Sequence, residues 1–165
     1  MKEIILPVAP VSADQIPNIL EANSIYTNKY AETYMTHPHF FANFPSKNVV
    51  LVIASLQELG FSAGATLDAA IQKAASLGLK PCHPAMGLYL RLAWKTQANS
   101  KNTALSGQHR APDGAVTVLS LPLEKDDAFP KGLYLRSVDG KLWLRGYVCD
   151  NLHLWSAEDL FAFER

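Results

Sequence analysis

The stretch LYLRSVDGKLWLR at residues 133–145 predicts a β-hairpin, and the rest of the fold is built outward from it. Apolar and amphipathic residues alternate along it with period two, as in strands whose faces meet different surroundings. The Asp-Gly pair at residues 139–140 is a strong signal for a two-residue type I′ turn. With this turn, each arginine of the hairpin lies opposite an aromatic residue, in the pairs Arg136–Trp143 and Arg145–Tyr134. One face of the hairpin then carries leucines, and the other carries arginines and aromatic rings.

The motif Leu-aromatic-Leu-Arg occurs twice in this hairpin and a third time at residues 88–91. The same alternation predicts a strand over residues 88–94 that extends the charged and aromatic surface of the hairpin. We call the predicted set the arginine–aromatic face; its members are Tyr89, Arg91, Tyr134, Arg136, Trp143 and Arg145. The copies begin 45 and 9 residues apart, so the motif does not repeat with a fixed period.

The bulk composition is that of one ordinary globular domain. The chain has 165 residues, of which 48% are hydrophobic and 18% are charged, enough to build a core without disulfides or metals. Its 15 basic and 15 acidic residues cancel, so no global charge favours nucleic acid or a membrane surface. Residues 69–112 contain six basic residues and no acidic one, which makes a local positive patch one of the alternatives.

The pattern along the chain predicts helices first and strands later. A helix is expected to begin at Ser12 or Asp14 and to run to about Met35, with a break near residue 24. A second helix is expected after a start signal at residues 62–66, ending at Gly78. The other predicted elements are an edge strand or extended arm within residues 2–9 and strands at 49–54, 88–94, 116–121, 133–137, 141–149 and 160–163.

This order of elements is typical of the α+β class. We expect a single domain over residues 1–165, with a helical N-terminal arm at residues 1–46 and an α+β core at residues 47–165. The predicted core is a mostly antiparallel sheet with a C-terminal β-hairpin meander, packed on the one main helix that ends at Gly78.

Residues 49–165 resemble a family of uncharacterised bacterial proteins. The residues that carry the resemblance are Glu58-Leu59-Gly60-Phe61, Gly64-Ala65-Thr66, Leu77-Gly78-Leu79, Pro81-Cys82, Gly87, Leu90-Arg91-Leu92, Leu142-Trp143-Leu144, Trp155 and the run 158–163. The resemblance implies a bacterial α+β protein and no assigned activity. Met86 stands where the family pattern has an acidic residue, so this chain lacks any role of that acid.

Cysteine content and the N-terminal sequence predict a cytoplasmic location. Two cysteines, Cys82 and Cys149, are too few for a disulfide framework and suggest a reducing compartment. The first seven residues include an acid and a proline where a signal peptide needs an apolar run. The longest apolar stretch, residues 49–54, cannot span a bilayer. We therefore expect no membrane association.

Metal and cofactor sites are not predicted. The ligand-type side chains of Cys82, His83, Cys149 and His153 lack the paired spacing of zinc sites, and a structural role in core and strand is favoured. The His-Pro-His sequence at residues 37–39 is interpreted as an exposed turn.

Three functional hypotheses remain. The first is a non-catalytic binding or interaction module that uses the hairpin face and the loop at 96–112 to hold a protein partner or an anionic ligand. The second is an anion or single-stranded nucleic-acid binder that uses the arginine–aromatic face. The third is a small hydrolase or transferase centred on Ser106 and His109, because that loop combines a hydroxyl, an imidazole and the guanidinium of Arg110.

Overall fold

The hairpin predicted from residues 133–145 lies inside a seven-stranded mixed sheet in the computed structural model, which describes residues 1–104 and 111–165. The strands are β1 (Lys2–Leu6), β2 (Ile25–Thr27), β3 (Val49–Ser55), β4 (Val116–Val118), β5 (Gly132–Val138), β6 (Lys141–Tyr147) and β7 (Leu160–Glu164). Their spatial order is β1-β3-β7-β4-β5-β6-β2. The pairs β4–β7 and β2–β6 are parallel, and the other four are antiparallel. The chain is therefore one α+β domain.

The predicted hairpin register is confirmed. Strands β5 and β6 pair with Arg136 opposite Trp143 and Tyr134 opposite Arg145, and leucine lies opposite leucine at positions 135 and 144. In the turn, Asp139 has φ 50° and Gly140 has φ 73°. A type I′ turn needs positive φ at both central residues, which glycine adopts without strain and aspartate tolerates.

Helices cover both faces of this sheet. They are α1 (Ile16–Ala22), which follows a short 3-10 turn at Ala13–Gln15, α2 (Lys29–Met35), α3 (Leu67–Ser76) and α4 (Met86–Ala93). We call the face that packs against α1, α2 and α4 the near face, and the face that packs against α3 the far face. The predicted boundaries of α3 are confirmed, since the Thr66 side chain caps its start and Gly78, with φ 73°, follows its end.

Side chains point alternately to the two faces of the sheet along each strand, and this divides the core into two layers. On the near face, Leu133, Leu135 and Leu144 pack with the apolar residues of α1, α2 and α4. On the far face, Phe161 and Phe163 pack with the alanines of α3 and with other buried apolar residues. Because successive strand residues point to opposite faces, the aromatic and charged residues of the hairpin lie on the far face.

The predicted strand at residues 88–94 is wrong, because these residues belong to helix α4. All six residues from Met86 to Arg91 are buried, so the segment has no exposed polar side that would mark it as a surface helix. A short run of this kind satisfies a strand pattern and a buried helix pattern equally well. Gly87 lets α4 approach the sheet closely, since a Cβ there would lie 2.8 Å from the Leu133 Cβ atom.

Residues 1–46 are part of the same core and not an arm beside it. Their first strand, β1, is the predicted edge strand and pairs with β3. The predicted break near residue 24 is present, with Ser24 at φ 53°, and the chain then forms β2 at the opposite edge of the sheet. Ile16, Leu20 and Tyr34 are buried in the near-face core.

Within the described residues, no helix has the length and apolar character needed to cross a membrane.

Candidate functional site

Arg136, from the predicted arginine–aromatic face, is buried and fully engaged. Its Nε donates to the Ser100 hydroxyl and to the Asp113 carbonyl oxygen, both at 2.9 Å. One terminal nitrogen donates to the Ala104 carbonyl, and the other to the carbonyl and side-chain oxygens of Asn102 at 3.0 and 2.9 Å. This guanidinium organises the adjoining loop and is not available to a ligand.

The two residues contributed by α4 are likewise absent from the hairpin face. Arg91 is fully buried and donates to the Gln97 side chain at 2.6 Å and to the Trp94 carbonyl oxygen. Burial lowers the pKa of Arg91 to about 10. Tyr89 packs in the near-face core, and its hydroxyl donates to the Ala9 carbonyl oxygen at 2.5 Å. The six predicted residues therefore do not form one surface, because α4 lies across the sheet from the far face of the hairpin.

Three of the six do come together on the far face. The Nε of Arg145 donates to the Tyr134 hydroxyl at 2.9 Å, and its guanidinium carbon lies 5.2 Å from the ring centroid of Trp143. Arg145 is half-buried, and among the described residues it has no carboxylate within ion-pair distance. Its orientation is thus held by a hydroxyl and a ring, and no acidic side chain in residues 1–104 or 111–165 pairs with its charge.

Two residues that the sequence prediction missed extend this group. The ring of Tyr26 lies 5.2 Å from that of Trp143, and the Lys141 ammonium lies 5.5 Å from the Tyr26 ring centroid. Tyr26 reaches this position because β2 pairs in parallel with β6 and places Tyr26 beside Trp143. Strand β2 has only three residues, and its sole sequence signal was the predicted break near residue 24.

A cleft of about 1020 Å³ opens on the far face beside Arg145. We call this cleft the Arg145 cleft. Its floor is formed by sheet residues, and one of its walls is the segment 148–155 that follows β6. The floor residues are Thr117, Tyr134, Arg145 and Tyr147, and the wall includes Cys149, Leu152, His153, Leu154 and Trp155. The lining thus places one guanidinium among aromatic and aliphatic side chains, together with the acid Asp150 and the polar residues Asn28 and Thr117.

The wall is built on Trp155. Its ring packs edge-to-face on Tyr147, His153 and Phe161, with centroid separations of 5.7, 4.9 and 5.1 Å. Its indole Nε1 is buried and has no hydrogen-bond partner among the described residues. An indole N–H in this position is a donor that a ligand oxygen or a water satisfies at low cost.

Burial keeps two side chains of the cleft, those of Cys149 and Tyr147, in their neutral form. It raises the pKa of the Cys149 thiol to about 11 and raises the pKa of Tyr147 well above its ordinary value. A thiol in this state is a poor nucleophile at neutral pH, because the thiolate is the reactive form. These side chains offer contacts and hydrogen bonds more readily than covalent chemistry.

The other candidate residues are those of the loop hypothesis and the two cysteines. Ser106 and His109 lie outside the described residues. Cys82 packs in the near-face core and Cys149 against the far-face core, so these two thiols are on opposite sides of the sheet. The part of the chain that the structure describes contains no cluster of three or more metal-ligand side chains suited to an ion.

Comparisons with known protein families, with curated proteins and with solved structures find no match to this chain.

Proposed function

We propose that this protein is a non-catalytic binding module that holds a small organic anion in the Arg145 cleft. The observation that carries the proposal is the state of Arg145, which is oriented by Tyr134 and Trp143 yet has no acidic partner among the described residues. Its terminal N–H groups likewise make no hydrogen bond within the described chain. A planar guanidinium in this state matches the two oxygens of a carboxylate or phosphate.

The lining of the cleft supports a ligand with an apolar or aromatic body. Tyr147 and Trp155 line the cleft together with Arg145, and Leu154 is 63% exposed along the wall. Binding sites for small molecules combine apolar walls with a few placed polar groups in this way. We therefore place the anionic head on Arg145 and the body against the 148–155 wall.

Binding is favoured over catalysis by the neutral state of the Cys149 and Tyr147 side chains of the cleft. The raised pKa values of Cys149 and Tyr147 keep both groups protonated near neutral pH. A nucleophile or general base needs the deprotonated form at the working pH. The hydrolase or transferase hypothesis rests on Ser106 and His109, and so on residues that the structure does not describe.

A small anion is favoured over single-stranded nucleic acid by the count of available cations. Arg91 and Arg136 are buried and bonded within the protein. On the far face of the hairpin, Lys141 and Arg145 are the two remaining cations of the described residues. Affinity for a nucleic-acid backbone comes from several phosphate contacts together, whereas one guanidinium is sufficient for one anionic head.

The test is a panel of small anions measured by isothermal titration calorimetry and thermal shift. We expect indole-3-acetate and benzoate to bind and raise the melting temperature more than succinate or inorganic phosphate. Arg145→Gln is expected to weaken this binding at least tenfold. The matched control Lys141→Gln removes an exposed charge from the same strand and is expected to change it less than twofold.

Two results would overturn the proposal. One is absence of binding by every anion in the panel. The other is equal loss in Arg145→Gln and Lys141→Gln, which would indicate attraction to surface charge and not a built site. A labelled single-stranded oligonucleotide is included at low and moderate salt, since binding that weakens steeply with salt would favour the nucleic-acid hypothesis instead.

We also propose a bacterial, cytoplasmic setting for this activity. Both cysteines are free thiols, as in a reducing compartment. The bacterial origin rests on the resemblance described for residues 49–165.

A further inference from the structure

A second concave site lies on the near face of the sheet, beside edge strand β2. It is an apolar groove of about 490 Å³ between α1 and α2, and we call it the β2 groove. Its walls include Ile16, Leu20 and Met35, and Ile25 of β2 contributes to its base. These side chains belong to the near-face core and are held in place by it.

The groove runs along an unpaired strand edge. Strand β2 is last in the sheet order and pairs only with β6 among the described strands. All three of its residues line the groove, together with Ser24 before them. A strand edge of this kind presents backbone N–H and C=O groups to any chain that lies alongside it. The apolar side walls and the backbone edge therefore form one continuous surface.

The rim of the groove is acidic. Glu21 on α1 and Glu32 on α2 both line it and are exposed, and no lysine or arginine is among its lining residues. The nearby Lys29 ammonium lies 3.8 Å from the Glu32 carboxylate, and its side chain is 88% exposed. The Lys141 ammonium lies 5.5 Å from the Tyr26 ring, on the other side of β2. Glu21 has no ion-pair partner among the described residues, so it is the acid of the rim that attracts a positively charged partner.

We propose that the β2 groove binds an extended peptide segment in which apolar residues are flanked by lysine or arginine. The segment adds to the sheet as an eighth strand on β2, and its alternate apolar side chains enter the groove. Its basic flanks lie against Glu21 and Glu32. This site is distinct from the Arg145 cleft and does not depend on the function proposed there.

A second copy of the chain fits this edge less well than a basic peptide. A two-fold contact between two β2 edges brings the same patch of each copy together. Glu21 and Glu32 of one copy would then meet those of the other, and like charges across an interface oppose association.

The experiment uses an array of synthetic hexapeptides probed with the labelled full-length protein. The four central positions are drawn from Val, Ile, Leu and Phe, and both ends are Lys or Arg in one set, Asp or Glu in a second and Ser in a third. We expect the basic set to bind at least tenfold more tightly than the acidic set. No preference, or preference for the acidic set, would contradict the proposal.

Charge reversal at the rim gives a sharper test. The double variant Glu21→Lys with Glu32→Lys is expected to invert the preference, so that the acidic set binds best. The matched control is Asp68→Lys, which reverses a first-turn acid on α3 just as Glu32→Lys does on α2. Circular dichroism confirms that each variant folds. An unchanged preference in the double variant, or an inverted one in the control, would place peptide binding elsewhere.

Strand addition itself is tested with N-methylated versions of the best peptide. Methylation of alternate residues blocks the N–H groups along one edge of a strand only. We expect one methylation pattern to abolish binding and the complementary pattern to preserve it, with slowed amide hydrogen exchange at residues 25–27. The proposal is wrong if both patterns bind equally. It is also wrong if ultracentrifugation detects a dimer and hydrogen exchange at residues 25–27 is already slow in that dimer without peptide.

Discussion

Two arginines on neighbouring strands follow the same sequence motif and have different structural roles. Arg136 is fully buried on β5, where all three of its guanidinium nitrogens donate to loop residues between Ser100 and Asp113. Arg145 on β6 is half-buried, and among the described residues its side chain makes one hydrogen bond, to Tyr134. Because the chemistry of the side chain is the same, the difference comes from the segment that folds over each one.

The comparison separates an arginine that stabilises a loop from the arginine of the proposed binding site. Around Arg136, a loop places carbonyl oxygens at each N–H group, and charge-assisted hydrogen bonds of this kind are strong when buried. Around Arg145, the nearest partners are a hydroxyl and a ring, so the guanidinium keeps hydrogen-bonding capacity for a ligand. Measurements on these two positions test this distinction directly.

The largest expected effect is that of Arg136→Ala on stability. The substitution leaves the Asn102, Ala104 and Asp113 carbonyls without their donor, and we expect a loss of about 3 kcal/mol or more in the free energy of unfolding. Urea denaturation measures it. Arg136→Lys is expected to recover little, because an ammonium cannot reproduce the planar fork. A loss below about 1 kcal/mol would show that the loop is satisfied without Arg136.

Gly140→Val is expected to cost about 1–2 kcal/mol, since a β-branched residue resists positive φ. A Cβ at this position meets no atom within 4 Å, so the cost is conformational and not steric. Thermal unfolding measures it, with Gly140→Asn as the control that tolerates the left-handed region. Equal melting temperatures for the two variants would contradict this prediction. The register that pairs the two arginines with aromatic rings would then not depend on the type I′ turn.

Tyr34→Phe removes a buried hydrogen bond between two uncharged side chains, and its cost can be compared with the costs at the two arginines. The Tyr34 hydroxyl lies 2.9 Å from that of Ser120, and losing this hydrogen bond is expected to cost about 1 kcal/mol near neutral pH. Burial raises the pKa of Tyr34 from 10.0 to about 12. A raised pKa in the folded state stabilises the protein fully below pH 10.0, and this contribution is lost as the pH rises towards 12.

The phenylalanine variant should therefore lose less stability than the wild type between about pH 9 and pH 11, by about 1 kcal/mol. Urea titrations at both pH values measure this difference. Parallel pH dependence in the two proteins would show that Tyr34 does not ionise differently on unfolding.

The smallest expected effect on stability is that of Arg145→Ala. A partly exposed contact of an arginine with an aromatic ring contributes about 0.5–1 kcal/mol, and the hydrogen bond to Tyr134 is solvent-accessible in part. Urea denaturation under the conditions used for Arg136→Ala gives the comparison. If Arg145→Ala destabilises the protein as much as Arg136→Ala does, Arg145 is structural and the binding proposal loses its main support.

The prediction from sequence succeeded where local signals and burial agree. The type I′ turn, the central strand β3, helix α3 with its Thr66 cap, and the break before β2 were all expected from a few neighbouring residues. It failed for α4, where a run of apolar residues satisfies two periods at once. It also missed Tyr26, because a three-residue strand acquires its identity from parallel pairing with β6.

The sequence by itself therefore determined the α+β class and the hairpin register, since turn residues and alternation act over short separations. Only the tertiary structure decided which arginine is buried, because that depends on a loop from residues 99–104 and on Asp113 folding over β5. It also decided that Tyr26 joins Trp143 and that α1 and α2 flank the edge of β2. Contacts between distant segments set the environment of a side chain, and that environment determines whether the same residue stabilises the fold or remains available to a ligand.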